Sequence, residues 1–107
     1  MRAGYQGEYR VKQKLIEEYG EENVIKTAIG GGQDYIVVNK GRLVKVVEVK
    51  EKSGDGKFYP NRREKKQFER IRKFAAEHGI IPELWIVHRR GRGKPVEIKV
   101  RRLDAYI

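Results

Sequence analysis

The run Leu43-Val44-Lys45-Val46-Val47-Glu48-Val49-Lys50 constrains the fold more than any other stretch of the chain. In an extended strand, successive side chains alternate between two faces. Here both faces are largely apolar, so the strand belongs inside a sheet, covered on each side. Two amphipathic segments can supply the cover. Over residues 5–19, Tyr5, Glu8, Tyr9, Val11, Lys12, Leu15, Ile16 and Tyr19 recur at three- and four-residue spacings, and Gly20 follows as a C-terminal stop. The second segment opens on Asn61 as an N-cap, with Glu64 completing a capping box. Phe68, Ile71, Phe74 and Ala75 then form an inner stripe, and Gly79 ends it.

Shorter strands read at Asn23–Ala28, Gln33–Val38, Leu84–His88 and Val96–Arg101, the last alternating as a half-exposed strand should. Gly30-Gly31-Gly32 lacks the lysine and the spacing of a phosphate-binding loop and reads as a flexible connection. Residues 51–60 read as a loop. The order is helix, three strands, helix, two strands. It predicts an α/β fold with a central mixed sheet of about five strands flanked by helices. At 107 residues, the chain fits a single domain over 1–107.

Lys and Arg number 25 against 15 Asp and Glu, a net charge of +10. That balance favours a polyanionic partner, although a solvated thermophile surface has the same composition. The absence of cysteine excludes a disulfide framework and thiolate metal sites. No apolar run approaches the roughly 20 residues that span a bilayer, and nothing behind Met1 reads as a signal peptide. The expectation is an intracellular protein with no membrane partner and no small-molecule cofactor.

The chemistry concentrates between Asp34 and Lys50. Glu48 and Lys50 share one strand face with Val44 and Val46. Asp34 opens the neighbouring strand at the same end. A three-residue loop Asn39-Lys40-Gly41 would set Asp34 diagonal to Glu48, and a two-residue shift would set them directly opposite. An odd register would put them on opposite faces and remove the site. Two carboxylates about 4 Å apart repel by about 4 kcal/mol at an effective dielectric near 20. A shared proton, a basic neighbour or a divalent cation relieves that. Oxygen ligands suit Mg²⁺ or Mn²⁺, which would polarise a phosphodiester and activate water. Lys50 could then neutralise developing charge. Glu8 points along an apolar stripe and could add a carboxylate if its helix covers this end of the sheet. The bland alternative is an edge salt bridge between Glu48 and Lys50, with Asp34 capping a turn and Glu8 bending to water.

A helical Glu, an Asp opening a strand, a hairpin, and Glu-x-Lys on the next strand resemble the PD-(D/E)XK nuclease pattern, here Glu8, Asp34 and Glu48-Val49-Lys50. Gly4-Tyr5-Gln6-Gly7-Glu8, with the element order through Val87, is similar to the archaeal and archaeal-virus Holliday-junction resolvases of that superfamily. The resemblance implies a restriction-endonuclease-like fold and an Mg²⁺-dependent endonuclease. In it Asp34, Glu48 and the Val49 carbonyl hold the metal, Lys50 is catalytic and Glu8 assists. It also implies a homodimer that nicks branched DNA. The sequence departs from the family at Gln33, which stands where the pattern has proline, and at Gly30–Gly32, which offers no hydroxyl. It also stops at Ile107, short of the segment by which family members dimerise. Virus-type replication–repair nucleases, which act on flap or duplex DNA, share the same core, and Gln67 suits them. An inactive basic nucleic-acid-binding module is the remaining alternative. For any of these, Arg62, Arg63, Lys65 and Lys66 on the second helix and Arg89, Arg90 and Arg92 near the last turn are candidate phosphate contacts. Tyr59 could stack on an unpaired base.

Overall fold

The structure, a computed structural model, describes residues 3–32 and 34–106, with side chains from Gly7 onward in that range. The side chain of Tyr5, placed on the inner stripe from the sequence, and Gln33 lie outside the described residues. Helix α1 spans Ala3–Tyr19, followed by β1 (Val24–Thr27), β2 (Asp34–Asn39) and β3 (Arg42–Ser53). Helix α2 (Arg62–His78), β4 (Ile81–Arg89) and β5 (Glu97–Arg102) complete the order, and a short 3₁₀ turn covers Leu103–Tyr106. The sheet has five strands in sequential order. All neighbours are antiparallel except β3 and β4, which run parallel across the α2 crossover. The mixed α/β sheet flanked by two helices is the architecture that the hydrophobic periodicity predicts. Among the described residues, no helix is long and apolar enough to cross a membrane.

Strand β3 is central, as its two apolar faces require. Val47 and Val49 pack with Val11 and Leu15 of α1, Tyr35 and Val37 of β2, and Trp85 and Val87 of β4. On the opposite face Val46 packs with Phe68, Ile71 and Ala75 of α2 and with Leu84 and Ile86. The capping box forms as expected: Asn61 Oδ1 accepts from the Glu64 amide at 2.8 Å, and Glu64 Oε1 accepts from the Asn61 amide at 2.9 Å. Some expectations need correction. The inner stripe of α1 is narrower than the spacing suggests, since Tyr9 and Lys12 are exposed and flank it. Phe74 is only half-buried and stacks on His78. Strand β3 runs three residues into the expected loop, because Glu51, Lys52 and Ser53 continue the parallel ladder with β4.

The β2–β3 hairpin sets the site. Lys40 and Gly41 both have positive φ, 53° and 76°, as a two-residue type I′ turn demands. The turn therefore pairs Asn39 with Arg42, and a three-residue loop is not formed. Continued unbroken, that odd register would set Asp34 opposite Val47. A one-residue irregularity between Val37 and Val38 of β2 leaves Val44 extra on β3 and shifts the pairing. Beyond it, Asp34 stands directly across from Glu48.

Candidate active site

Asp34 and Glu48 are a cross-strand pair on the α2 face of the sheet, and neither is exposed to solvent. None of their four carboxylate oxygens completes a hydrogen bond among the described residues. Leaving buried acceptors unpaired is costly, and two of them in register add mutual repulsion. Burial, opposed by Lys50 and reinforced by Asp34 and Glu64, pushes the Glu48 carboxyl up to about 8. Burial likewise raises Asp34, against the pull of nearby backbone amides at Gly30, Ile29 and Gly32 and of the Lys26 charge. Those amides favour the charged form without reaching full hydrogen-bond geometry.

Lys50 lies two residues beyond Glu48 on the same face. Its Nζ is 3.5 Å from Glu48 Oε1 and 3.7 Å from Glu64 Oε2. It donates to Gln67 Oε1 at 2.9 Å. The first turns of α2 thus hold the ammonium beside the carboxylate pair. Glu64 combines two tasks, capping the helix with one oxygen and facing Lys50 with the other. Gln67 is buried and sits one turn before Ile71, on the inner face of α2. A polar residue on an apolar stripe is the signal that singles out Glu8, and applied to α2 it would have found Gln67's role.

The triglycine, read from the sequence as a connection, packs against the site at Gly30 and Gly32, while Gly31 between them is exposed. Gly30 is buried, and a Cβ there would lie 2.6 Å from Ile71 Cδ1. A Cβ on Gly32 would lie 2.7 Å from Glu48 Oε1, so only glycine lets the loop close over the carboxylates without displacing one. Val49 buries its side chain on the α1 face and can contribute to the site only through its carbonyl.

The donor set fits a hard divalent cation. Asp34 and Glu48, buried side by side without hydrogen-bond partners among the described residues, offer only oxygen donors, the type that Mg²⁺ and Mn²⁺ prefer. A cation there would supply the contacts that hydrogen bonds among the described residues do not.

Glu8 is not brought to this pair. Helix α1 does cover this end of the sheet, but from the other face. Glu8 Oε1 accepts from the Tyr35 hydroxyl at 2.7 Å and pairs with the Lys26 ammonium. Burial raises its carboxyl, and the contacts with Lys26 and Tyr35 outweigh that, so the net shift is downward. Neither Tyr35 nor Lys26 stands out in the sequence.

The candidate phosphate contacts divide. Arg62, Arg63, Lys65 and Lys66 are exposed on the first turns of α2, the end that carries Glu64 and Gln67. Arg89 is paired with Glu51 at 3.3 Å, and Arg90 with Asp55 at 3.0 Å and with Glu97. Those two are committed to holding the end of the sheet together, whereas Arg92 is exposed in the turn. In the β3–α2 loop Phe58 packs on Phe68 and Tyr106, which leaves Tyr59 79% exposed. Lys99 and Arg101, which the sequence marks only as alternating strand residues, share the α2 face of β5. No protein-family model matches this sequence, and no curated protein matches it either.

Proposed function

We propose that the chain is a divalent-metal-dependent endonuclease that hydrolyses DNA phosphodiesters, and that its substrate is branched DNA of the Holliday-junction kind. One observation carries the reading: two fully buried carboxylates, Asp34 and Glu48, face each other with no oxygen hydrogen-bonded among the described residues, beside an ammonium 3.5 Å from Glu48. Lys50 offsets only part of the charge on Glu48, and no hydrogen bond among the described residues satisfies Asp34.

Asp34, Glu48 and the Val49 carbonyl would hold Mg²⁺ or Mn²⁺, which when bound polarises a phosphodiester and acidifies water. Lys50 holds positive charge next to Glu48, where negative charge develops on a phosphate under attack. Gln67 and Glu64 fix its ammonium, so little reorganisation is needed as that charge grows. The α2 face excludes water behind the carboxylates, and Gly32 keeps the loop from displacing them. Glu8 receives no step, because its carboxylate is engaged on the opposite face. The exposed cations on α2 would take phosphates on either side of the cut and give binding a steep salt dependence. A homodimer cutting two strands, in an intracellular setting, belongs to the same reading.

A second reading, a virus-type nuclease acting on flap or duplex DNA, gains support from Gln67, whose contact with Lys50 makes it part of the site. The test is cleavage of labelled four-way junction, flap, nicked and linear DNAs in Mg²⁺. Preferred paired nicking of the junction supports the resolvase, and equal or greater cutting of flap or linear duplex supports the second reading. No cleavage of any substrate in Mg²⁺ or Mn²⁺ would leave only a basic DNA-binding module.

A further inference from the structure

Beside the carboxylate site, on the same face of the sheet, lies a groove of about 790 Å³ between the β3–α2 loop, strand β5 and the closing 3₁₀ turn. The ladder explains its position. Asp34, Glu48, Leu84 and Arg101 form one row across β2, β3, β4 and β5, and Lys50, Ile86 and Lys99 form the next. Partners in a row share a face. Each row therefore begins at the proposed catalytic group and ends at a cation in the groove. From Glu48 and Lys50 on β3 to the cations on β5, the two strand steps span about 10 Å.

The lining is basic and aromatic. Lys57, Lys65, Lys99 and Arg101 contribute to it, and none of them appears in an ion pair among the described residues. Asp55, an acid on the rim, is already paired with Arg90 at 3.0 Å. Phe58 and Tyr106 stand 6.2 Å apart, each within 6.5 Å of the Phe68 ring, which anchors this wall to α2. Tyr59 follows Phe58, so its backbone is fixed while its ring stays in water. Cations without an acidic partner spaced along one strand, Arg101 donating only to the Val100 carbonyl at 3.0 Å, with an exposed aromatic ring beside them, are the two elements by which proteins hold single-stranded nucleic acid. Duplex DNA would use the cations and leave the ring unused.

We propose that this groove takes an unpaired segment of DNA strand, with Tyr59 stacking on a base and Lys99 and Arg101 on phosphates, as the strand runs toward Lys50. The direction toward Lys50 rests on the nuclease reading, whereas the groove's occupancy is measurable without it. The substrate class is then DNA with a single-stranded portion next to the cut, which favours the flap-cutting reading over the fully paired four-way junction.

The experiment is fluorescence anisotropy without divalent ion, using a duplex bearing an unpaired flap and a blunt duplex of the same sequence. Tyr59→Ala is expected to weaken flap binding about tenfold, as loss of one stacking platform does, and to change blunt-duplex binding less than twofold. Circular dichroism checks the fold, which an exposed tyrosine does not hold together. Lys99→Ala with Arg101→Ala should weaken flap binding and lower its salt slope by about 1.4, the value for two phosphates of a single strand. Equal losses on both DNAs from Tyr59→Ala, or no loss of flap binding from either variant, would overturn the proposal. The nuclease reading fails separately: a protein that shows these flap-specific losses yet never cuts keeps the groove and loses the catalytic site. One that cuts but binds both DNAs alike through Tyr59→Ala loses the groove alone.

Discussion

Adjacent residues of β2 anchor two carboxylate clusters that sit back to back across the sheet. On the α1 face Glu8 accepts from Tyr35 and pairs with Lys26, and its carboxyl is shifted down. On the α2 face Asp34 and Glu48 have no hydrogen-bonded partner among the described residues, and their carboxyls are shifted up. Burial acts on both clusters in the same direction. What separates them is whether the fold itself provides the compensating donors. Where it does, the carboxylate is part of the scaffold. Where it does not, the cost persists until something from solution binds, which is how a ligand site differs from a structural ion pair.

The sharpest way to break this comparison is by cleavage. Asp34→Ala or Glu48→Ala should reduce DNA cutting to background while leaving the circular dichroism spectrum and DNA binding intact. Glu8→Gln should keep measurable cutting. If Glu8→Gln is as inactive as Asp34→Ala at unchanged stability, the division between scaffold and site is wrong.

The sequence exposes one half of this division better than the other. Alternation and the capping box are local, so the element order, the central place of β3 and the start of α2 can be read from residues alone. The parity of the Asp34–Glu48 pairing is a different matter. The Lys40-Gly41 turn sets the odd register that would separate the two carboxylates, and one extra residue at Val44 restores their meeting. That bulge reflects the demand of two covered faces over the whole sheet, which no short stretch encodes. The same holds for Glu8. The helical stripe shows that it faces the sheet, but which side of the sheet α1 covers depends on the crossover. Lys99 and Arg101 are legible as one face of β5, and only the assembled rows connect them to Lys50 and Glu48.

Gln67 tests whether the ammonium must be held in place. Gln67→Leu keeps the volume and removes the acceptor that Lys50 uses at 2.9 Å. The expected loss is about 10- to 100-fold in kcat, the range for a misplaced catalytic group, with little change in DNA affinity. A loss confined to KM would make Gln67 a binding residue and sever it from Lys50.

Stability against pH separates the clusters without any substrate. The folded Glu48 carboxyl lies at about 8, above its unfolded value of 4.5. The folded state therefore binds the proton more tightly. This contribution to stability is fully present below 4.5 and is lost as pH rises toward 8. Glu48→Gln removes that dependence, so in EDTA at pH 8 it should melt at least about 4 °C above the wild type, the shift that 1 kcal/mol brings in a domain of this size. Mg²⁺ should raise the wild-type midpoint and leave that of Glu48→Gln unchanged. A wild-type midpoint that does not fall between pH 5 and 8 would mean the carboxylates are already compensated.

The smallest effect belongs to Glu8, and its sign is opposite. Its folded carboxyl lies below the ordinary glutamate value of 4.5, so its contribution is present above that value and is lost as pH falls through the folded one. Glu8→Gln retains an acceptor for the Tyr35 hydroxyl and removes the charge that Lys26 faces. Lys26 is 59% exposed, so solvent screening holds the loss to about 0.5–1 kcal/mol at neutral pH. Thermal melts of the two proteins should differ by a few degrees at pH 7 and converge as the pH approaches 3. A difference of the same size at both pH values would show that the substitution acts through packing against Tyr35. Glu8 would then mark the scaffold by its shape and not by its charge, and the contrast with Glu48 would rest on hydrogen bonding alone.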